Sequence, residues 1–458
     1  MTPHISIFLL LLSTSLLWAS QSLISPNLTA IATDLHLSPS QRDWLLGGII
    51  PLAFFAVGAP VALLTGTLAD RLATNRVRLL VLTTALGHVP SLFAFVVRDF
   101  AGLLVLRTLT GAALAGATPI NMSLLSDYLG AVTRVIAVAC LGVTVTLGVA
   151  SGTVIATFLS ERFGSWRLPL AVVAGPALVV SGLVWMLVDE PPRGKMDSRD
   201  AADEINVVTI TRSDSDQGFF EQLPSNDNSQ LESQAFSQKV RAVFSVRTNV
   251  LCIAQGLAGC LPDGIVNTYM VDFFAFDKKL GIRNATILSV VGLLGVLVGM
   301  LVGGGIGQAL YNRGWKMRLV QLTALAVAST ALPFATIINI ETTRVALFGG
   351  LAFVGGFLLG CSDPNIKVMV VNVNNHATRG TAFAFLTVAT DLGKGLGPFG
   401  ISVMIALLGR QAAFSVAMLM YIVCGMIIFF MSFSFEEDEE KARHYEAVRA
   451  TELPQIYY

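Results

Sequence analysis

Four charged residues stand in apolar surroundings in the stretch CSDPNIKVMVVNVNNHATRGTAFAFLTVATDLGKGLGP, residues 361–398. Asp363 precedes Lys367 by four positions and Asp391 precedes Lys394 by three, so in a helix each acid can meet its base on one face. A charge near the centre of a bilayer costs roughly 2.5–3.5 kcal/mol on insertion scales. The spacing therefore predicts two ion pairs, which could hold helices in register or be opened by a charged ligand or a proton.

Two further charged residues lie in apolar stretches without a partner nearby in the sequence. Asp263 follows Pro262 and must find a base, a proton or a ligand elsewhere. Arg107 lies only about 9 Å from the predicted start of its helix, at 1.5 Å per residue, so its side chain could reach water. Polar side chains that could line the same site are Gln21, Asn121, Asn372, Gln255 and Asn267.

The composition indicates an integral membrane protein. Hydrophobic residues make up 54% of the 458 residues and charged residues only 13%, with a mean hydropathy of +0.69, which is unusual for a soluble domain. The formal net charge of zero argues against a nucleic-acid partner. The five cysteines lack metal-ligand spacing and the sequence has no Walker A loop. We therefore expect no metal, no cofactor and no enzymatic activity.

A helix needs about 20 apolar residues to cross the hydrocarbon core. Stretches of this length must position the charged and polar candidate side chains. Twelve such stretches are predicted, at 5–32, 44–68, 77–97, 101–126, 135–160, 166–188, 248–274, 286–311, 319–338, 345–372, 380–408 and 411–434. They form two groups of six. Residues 1–188 are predicted to be the N-terminal half and residues 248–434 the C-terminal half.

A polar segment, 189–247, joins the two groups and is rich in Ser, Asn, Asp and Gln with almost no apolar face. It is predicted to be a disordered cytosolic linker. Residues 435–458 are predicted to form a cytosolic tail. Both chain termini are placed in the cytosol, because this orientation puts more of the Lys and Arg residues on that side of the membrane.

An internal repeat relates the two groups. Residues Pro119, Arg134, Gly148 and Gly152 each recur 245 positions later, as Pro364, Arg379, Gly393 and Gly397. A further match, 236 positions apart, pairs Pro26-Asn27 with Pro262-Asp263. Such a repeat is typical of secondary transporters with a substrate site between the repeats. The predicted fold class is an all-α integral membrane protein with twelve transmembrane helices in two six-helix, pseudo-symmetric halves.

Two motifs resemble those of the major facilitator superfamily. The sequence GTLADR at 66–71, followed by Arg76, resembles the signature loop after the second helix of that family, although Ala73 and Thr74 depart from its pattern. The sequence RTLTG at 107–111 resembles its fourth-helix pattern. The resemblance implies alternating access, with a conformational gate formed by Gly66, Asp70, Arg71 and Arg76.

A narrower resemblance is to the Spinster-like branch, which is associated with export of lysolipids and sphingoid lipids. It rests on Gly148 and Gly152, on Trp166-Arg167 at the start of the sixth stretch, and on EPPRG at 190–194. This resemblance implies an amphiphilic cargo.

Glycines recur at every fourth position from Gly295 to Gly307, at 295, 299, 303 and 307. Small residues at this spacing allow two helices to approach closely. Two interpretations stay open: the glycines could serve rocking of the two halves, or they could serve static packing.

Three functions are compatible with these patterns. The leading hypothesis is a secondary active or facilitative transporter that carries a lysophospholipid or another amphiphile. The alternative is a proton-coupled transporter of a small polar solute, such as a sugar or an organic anion. The third is a membrane receptor or scaffold without transport. The expected partners are a small-molecule or lipid substrate, protons as a candidate coupling ion and the lipid bilayer, and we expect a monomer.

Overall fold

The computed structural model describes residues 3–71, 75–128, 131–191, 228–341 and 344–452, and these ranges contain helices and no strand. We number the membrane-crossing segments as spans 1 to 12. The N-terminal half contains span 1 (Pro3–Ser22, a 3₁₀ turn at Ser25–Asn27, and Leu28–Asp34), span 2 (Pro39–Gln41, a π-helical segment at Arg42–Ile49, and Ile50–Arg71), span 3 (Arg76–Leu92, followed by a 3₁₀ turn at Ala94–Val96), span 4 (Phe100–Tyr128), span 5 (Ala131–Phe163) and span 6 (Leu168–Leu187).

The C-terminal half is preceded by a helix at Asn228–Ser245. It contains span 7 (Arg247–Asp272 and a π-helical segment at Phe273–Asp277), span 8 (Ile282–Asn312), span 9 (Lys316–Ser329 and Ala331–Asn339), span 10 (Val345–Asn372), span 11 (His376–Leu408) and span 12 (Arg410–Met418 and Met420–Met431). A tail helix at Phe435–Glu452 follows.

Eleven of these spans are long and apolar enough to cross a membrane. Span 3 is the twelfth. It has 17 residues and carries the buried polar side chains Thr83, Thr84 and His88, but it packs against spans 4 and 6. Twelve crossings agree with the predicted fold class. Because the number is even, the start of span 1 and the end of span 12 lie on the same face of the bundle, which we call the terminal face, and the other is the opposite face.

In each half, the first span and the fifth span cross in the same way, and this repetition supports the pseudo-symmetry. A Cβ on Gly152 of span 5 would overlap the carbonyl oxygen of Ala19 in span 1, and a Cβ on Gly397 of span 11 would overlap that of Leu261 in span 7. Ala19 and Leu261 are therefore equivalent, which makes Gln21 the equivalent of Asp263. The predicted match between Pro26-Asn27 and Pro262-Asp263 is wrong, because it would shift these helices by more than one turn.

The glycines from Gly295 to Gly307 pack span 8 against span 10 within the C-terminal half. A Cβ on Gly295 would overlap the carbonyl oxygen of Phe353, and one on Gly303 would overlap that of Cys361. Because both helices belong to the same half, these contacts support the interpretation of static packing.

The side chain of Arg76 is fully buried and is the centre of an ion-pair network at the terminal face of the N-terminal half. Its guanidinium donates to Asp127 of span 4 at 2.5 Å, to Ser123 at 2.8 Å and to Glu190 after span 6 at 2.8 Å. The second carboxylate oxygen of Glu190 accepts from the backbone N–H of Val77 at 3.0 Å. Arg76 therefore ties together the ends of three spans of one half.

The other predicted gate residues are only partly described. Gly66 faces Pro119 of span 4, again within the N-terminal half. The side chains of Asp70 and Arg71, and residues 72–74, lie outside the described residues. Their role as a gate stays a prediction.

The segment predicted as a disordered linker contains an ordered part. Residues 228–245 form a helix that packs against span 11, and Val243 in it is fully buried. The carbonyl of Val243 accepts from the side-chain amide of Asn249 at 3.1 Å. Residues 192–227 of the predicted linker lie outside the described residues.

The tail helix also docks on the C-terminal half. Asp438 accepts hydrogen bonds from the backbone N–H and the hydroxyl of Thr248 at 2.9 and 2.8 Å. Glu439 is buried and forms an ion pair with Lys316 at 3.0 Å. Asp438 and Glu439 of the tail therefore contribute to its packing against the C-terminal half.

Candidate functional site

Lys394 is the centre of a charged cluster between the two halves. Its Nζ atom lies 3.7 Å from a carboxylate oxygen of Asp391 on the preceding turn of span 11. The side chains retain 20% and 16% exposure, respectively. Nζ also lies 5.4 Å from the ring centroid of Trp18 in span 1, within the range of a cation–π interaction. The predicted Asp391–Lys394 pair is thus formed, and the N-terminal half supplies an aromatic wall beside it.

Asp263 joins this cluster from span 7. The next residue, Gly264, lies directly against the backbone of Lys394, so the two helices meet at this level. Asp263 acts electrostatically on Lys394, and its carboxylate accepts a hydrogen bond from Asn267 at 3.0 Å. The sequence showed no base near Asp263. The tertiary structure places Lys394 near it, so the charge of Lys394 acts on Asp263 as well as on Asp391.

The second predicted pair is formed as well, at a more open place. Lys367 Nζ lies 2.7 Å from a carboxylate oxygen of Asp363 on span 10, and the two side chains are 40% and 45% exposed. Asp363 also acts electrostatically on Lys394. The five charged residues therefore comprise two ion pairs and Asp263, all contributed by the C-terminal half.

Arg107 does not reach water, contrary to the possibility left open by the sequence. It is 3% exposed and donates to the carbonyl oxygens of Ser20 and Gln21, each at 2.7 Å. Its guanidinium lies 5.0 Å from the ring centroid of Phe54.

The break in span 1 explains these bonds. Span 1 leaves the α-helical path after Ser22, and Pro26 has no N–H to donate. The last carbonyls before such a break lack their usual helical donors. Arg107 supplies donors to them, so its position favours a structural role.

Apart from Asn267, which donates to Asp263, the predicted polar residues are dispersed rather than gathered around Lys394. Asn121 is buried and donates to Thr14 at 3.0 Å within the N-terminal half. Asn372 is nine residues beyond Asp363, about 13 Å along a helix, where it lines a small pocket of about 160 Å³ with Tyr311 and Arg379.

Gln21 and Gln255 also form their hydrogen bonds within their own halves. The buried side-chain oxygen of Gln21 has no hydrogen-bond partner among the described residues, and its backbone carbonyl accepts from Arg107. Gln255 donates to the carbonyl of Cys252 at 3.0 Å.

A second charged cluster, which the sequence reading missed, connects the halves at the opposite face. The guanidinium of Arg410, at the start of span 12, lies 2.6 Å from Asp43 of span 2. It also lies 3.0 Å from Asp272 and 2.7 Å from Asp277, at the end of span 7. Tyr269 donates to the carbonyl of Asp43 at 2.8 Å. Each acid lies near the end of a span, where a charge in the sequence normally indicates only the membrane boundary.

This arrangement can bind a charged group between two walls of different character. The C-terminal half presents carboxylates and ammonium groups, and the N-terminal half presents Trp18. Among the described residues, no group of three or more His, Cys, Asp or Glu side chains could hold a metal ion.

Comparisons with known proteins agree with this architecture. The family model of the Major Facilitator Superfamily matches residues 10–348. The inner membrane transport protein YnfM of Escherichia coli (strain K12) is 25% identical over 167 residues, which cover 36% of this chain and 38% of that protein. The aligned region thus spans well under half of the length of this relative.

Two solved structures have the same fold over nearly the whole chain. One is a bacterial homolog of the human lysosomal transporter Spinster in an inward-facing, unoccupied conformation, with 16% identity, a TM-score of 0.70 and coverage of 95% of this chain and 98% of that one. The other is a D-xylose–proton symporter, with 17% identity, a TM-score of 0.67 and coverage of 95% and 97%. Since the family model spans most of the sequence and the helices adopt this fold, the chain belongs to the major facilitator superfamily and is a multi-pass integral membrane protein.

Proposed function

We propose that the protein is a secondary transporter that works by alternating access and carries an amphiphile with a charged headgroup, such as a lysophospholipid. The observation that carries the proposal is the difference in charge between the two sides of the site. Asp263, Asp391 and Lys394 belong to the C-terminal half, whereas Trp18 faces Lys394 from the N-terminal half.

An amphiphile requires such an asymmetric site, because its headgroup needs charged partners and its chain needs an apolar surface. Arg107 is the one charged residue in the middle of the described N-terminal spans, and its two Nη atoms already donate to carbonyl oxygens of span 1. The N-terminal wall is therefore free to contact an acyl chain. The Spinster homolog shares this fold, and the resemblance of the sequence to the Spinster-like branch implies an amphiphilic cargo.

The contacts between halves support alternating access. Ion pairs join the halves at the opposite face through Asp43 and Arg410, and Trp44 packs on Phe399 with ring centroids 5.1 Å apart. A state closed at one face is one of the two that alternating access requires. With both termini in the cytosol, as the distribution of Lys and Arg favours, this state is closed to the outside.

The second candidate is proton-coupled transport of a small polar solute. It is favoured by Asp263, an acid that shares Lys394 with Asp391 and holds a hydrogen bond to the exposed Asn267. An acid that shares its base can take up a proton when that base moves. The similarity of the fold to a D-xylose–proton symporter is compatible with this candidate.

Uptake into vesicles distinguishes the candidates. Purified protein is reconstituted, and uptake of labelled lysophospholipid, xylose and an organic anion is measured side by side, with and without a pH gradient. We expect uptake of the lysophospholipid and its loss in Lys394→Gln. Lys441→Gln, which removes an exposed charge from the tail helix, is the matched control.

Uptake of xylose or the anion, without uptake of the lysophospholipid, would contradict the amphiphile as cargo and favour the second candidate. Absence of flux for all three compounds, in protein that is folded and correctly inserted, would contradict both proposals and favour a receptor or scaffold.

A further inference from the structure

A small polar pocket, which we call the tail pocket, lies at the terminal face of the C-terminal half. It has a volume of about 160 Å³ and lies among the end of span 8, the connection between spans 10 and 11, and the tail helix. Its polar lining residues are Tyr311, Asn372, Asn374, Arg379, Glu439 and Arg443. Arg379 precedes Lys394 by 15 positions, about 22 Å along span 11. The tail pocket is therefore separate from the charged cluster around Lys394.

Arg379 has hydrogen-bond donors that the protein leaves largely unused. Its buried Nε atom has no hydrogen-bond partner among the described residues. Its Nη2 atom donates to the carbonyl oxygen of Asn374 at 3.4 Å, which is long for such a bond. A guanidinium offers five donors in a planar fork that fits the oxygen atoms of an oxyanion. Arg379 therefore has donors available for a ligand in the tail pocket.

Glu439 and Arg443 of the tail helix form another wall of the pocket, and the charge of the acid is already compensated. Glu439 lies 3.0 Å from Lys316 and accepts hydrogen bonds from Arg443 at 2.5 Å and from the hydroxyl of Tyr311. Arg443 also donates to that hydroxyl at 2.6 Å, and both of its bonds use the same nitrogen atom, Nη2. Together with Arg379, these groups carry three positive charges and one negative charge, so positive charge is in excess.

The connection between spans 10 and 11 is fixed by a pair of buried amides. Asn249 of span 7 donates to Asn374 at 2.9 Å, and Asn374 donates back to Asn249 at 2.7 Å. Asn374 also donates to the carbonyl of Val370 at 2.8 Å. A buried polar network whose members are satisfied specifies one arrangement. The wall that carries Arg379 is therefore formed before any ligand binds, which lowers the cost of ordering on binding.

We propose that the tail pocket binds an oxyanion, specifically a phosphate group, between Arg379 and Arg443. A phosphate group carries up to about two negative charges at neutral pH and several acceptor oxygens, which match the excess of positive charge and the unused donors. Because Arg379 belongs to span 11 and Arg443 to the tail helix, the bound anion joins the tail helix to the transmembrane bundle. The group can come from a soluble phosphate or from the headgroup of an anionic lipid. The site depends on neither the proposed cargo nor the transport cycle.

The test measures how fast a cysteine in the pocket reacts, with inorganic phosphate as the probe. Ala442 lines the tail pocket, so Ala442→Cys in lipid-free detergent micelles reports occupancy through its rate of reaction with a maleimide. Once phosphate exceeds its Kd about fourfold, only about one fifth of the pockets stay free, and labelling should slow about fivefold. Chloride at equal ionic strength should leave the rate unchanged. Lys441→Cys, at a position 67% exposed on the same helix, controls for the reagent, and the chain without the added cysteine gives the background.

Variants of the arginines distinguish a specific site from general screening of charge. Arg379→Gln or Arg443→Gln, each combined with Ala442→Cys, should lose the protection, because each removes one of the two groups that hold the anion. Arg379→Lys keeps the charge without the planar fork and should keep part of the protection. Arg313→Gln removes an exposed arginine that follows span 8 on the same face, and this matched control should keep all of it.

Vesicles identify the source of the phosphate group. The same cysteine is labelled with a membrane-permeant maleimide in phosphatidylcholine vesicles, with and without phosphatidylglycerol, in buffer free of phosphate. Slower labelling with phosphatidylglycerol assigns the site to a lipid headgroup, and slower labelling with inorganic phosphate in micelles assigns it to a soluble phosphate. Equal rates under all of these conditions, or protection that persists in both Arg379→Gln and Arg443→Gln, would overturn the proposal.

Discussion

Gly264 of span 7 lies against the backbone of Lys394 in span 11, where an added Cβ would come within 2.8 Å of the Lys394 Cα atom and would overlap its carbonyl oxygen. The missing side chain lets the two helices touch at the level of the charged cluster. Asp263, the neighbouring residue, is thereby brought into electrostatic range of Lys394. A small residue thus determines which charges can interact.

Gly264→Ala tests this dependence on close approach. Since the new methyl group meets backbone that cannot rotate away, the helices must separate, and stability should fall by about 1–3 kcal/mol. Thermal unfolding in detergent measures the change. Gly305→Ala is the matched control, because nothing lies within 4 Å of a Cβ at that helical glycine, and there we expect no loss of stability. Equal stability of both variants would show that the crossing can adjust.

The Asp391–Lys394 pair can be separated into structural and functional roles by a double-mutant cycle. Each single variant, Asp391→Asn or Lys394→Gln, leaves a partly buried charge without its partner and should lower stability by up to about 3–5 kcal/mol. The double variant should recover part of that stability, because Asp263 still loses the charge of Lys394, and it should lose flux, because the base at the centre of the cluster is gone. Thermal unfolding and vesicle uptake are measured for all three. A stable double variant with full flux would reduce the pair to a structural contact.

Arg107→Gln should destabilise the N-terminal half, since the carbonyls of Ser20 and Gln21 would lose a charged donor. Hydrogen bonds to charged groups contribute about 1.5–3 kcal/mol each, so we expect a loss of roughly 3 kcal/mol or more. Arg98→Gln, at an exposed position before span 4, is the control. If Arg107 were part of the transport pathway instead, flux would fall while the unfolding temperature stayed unchanged.

Asp70→Asn tests the gate inferred from the loop after span 2. If Asp70 helps to hold the terminal face closed in one state, its neutralisation should shift the population towards the state that is open there. The rate of alkylation of a cysteine placed at Lys367, whose side chain is 40% exposed, should rise at the terminal face. The same cysteine in a Lys441→Gln background provides the reference rate. Identical rates in the two backgrounds would argue against the gate.

The sequence by itself determined the interactions that lie within one helix. Asp363 and Lys367 are four residues apart, and Asp391 and Lys394 are three apart. These separations place each pair on one face of its helix, because the pitch of a helix is independent of its surroundings. Both pairs are present in the structure. The twelve spans were predictable for a similar reason, since the thickness of the bilayer sets the length of an apolar helix.

Only the tertiary structure determined which residues of different helices interact. Arg410 and Asp43 are 367 positions apart, and nothing in the local sequence of either residue indicates the other. Asp263 looked unpaired, and Arg107 looked able to reach water, because the crossing of spans 7 and 11 and the break in span 1 are invisible in local spacing. A long-range partner depends on where small residues let helices approach, and that placement is a property of packing across the whole bundle.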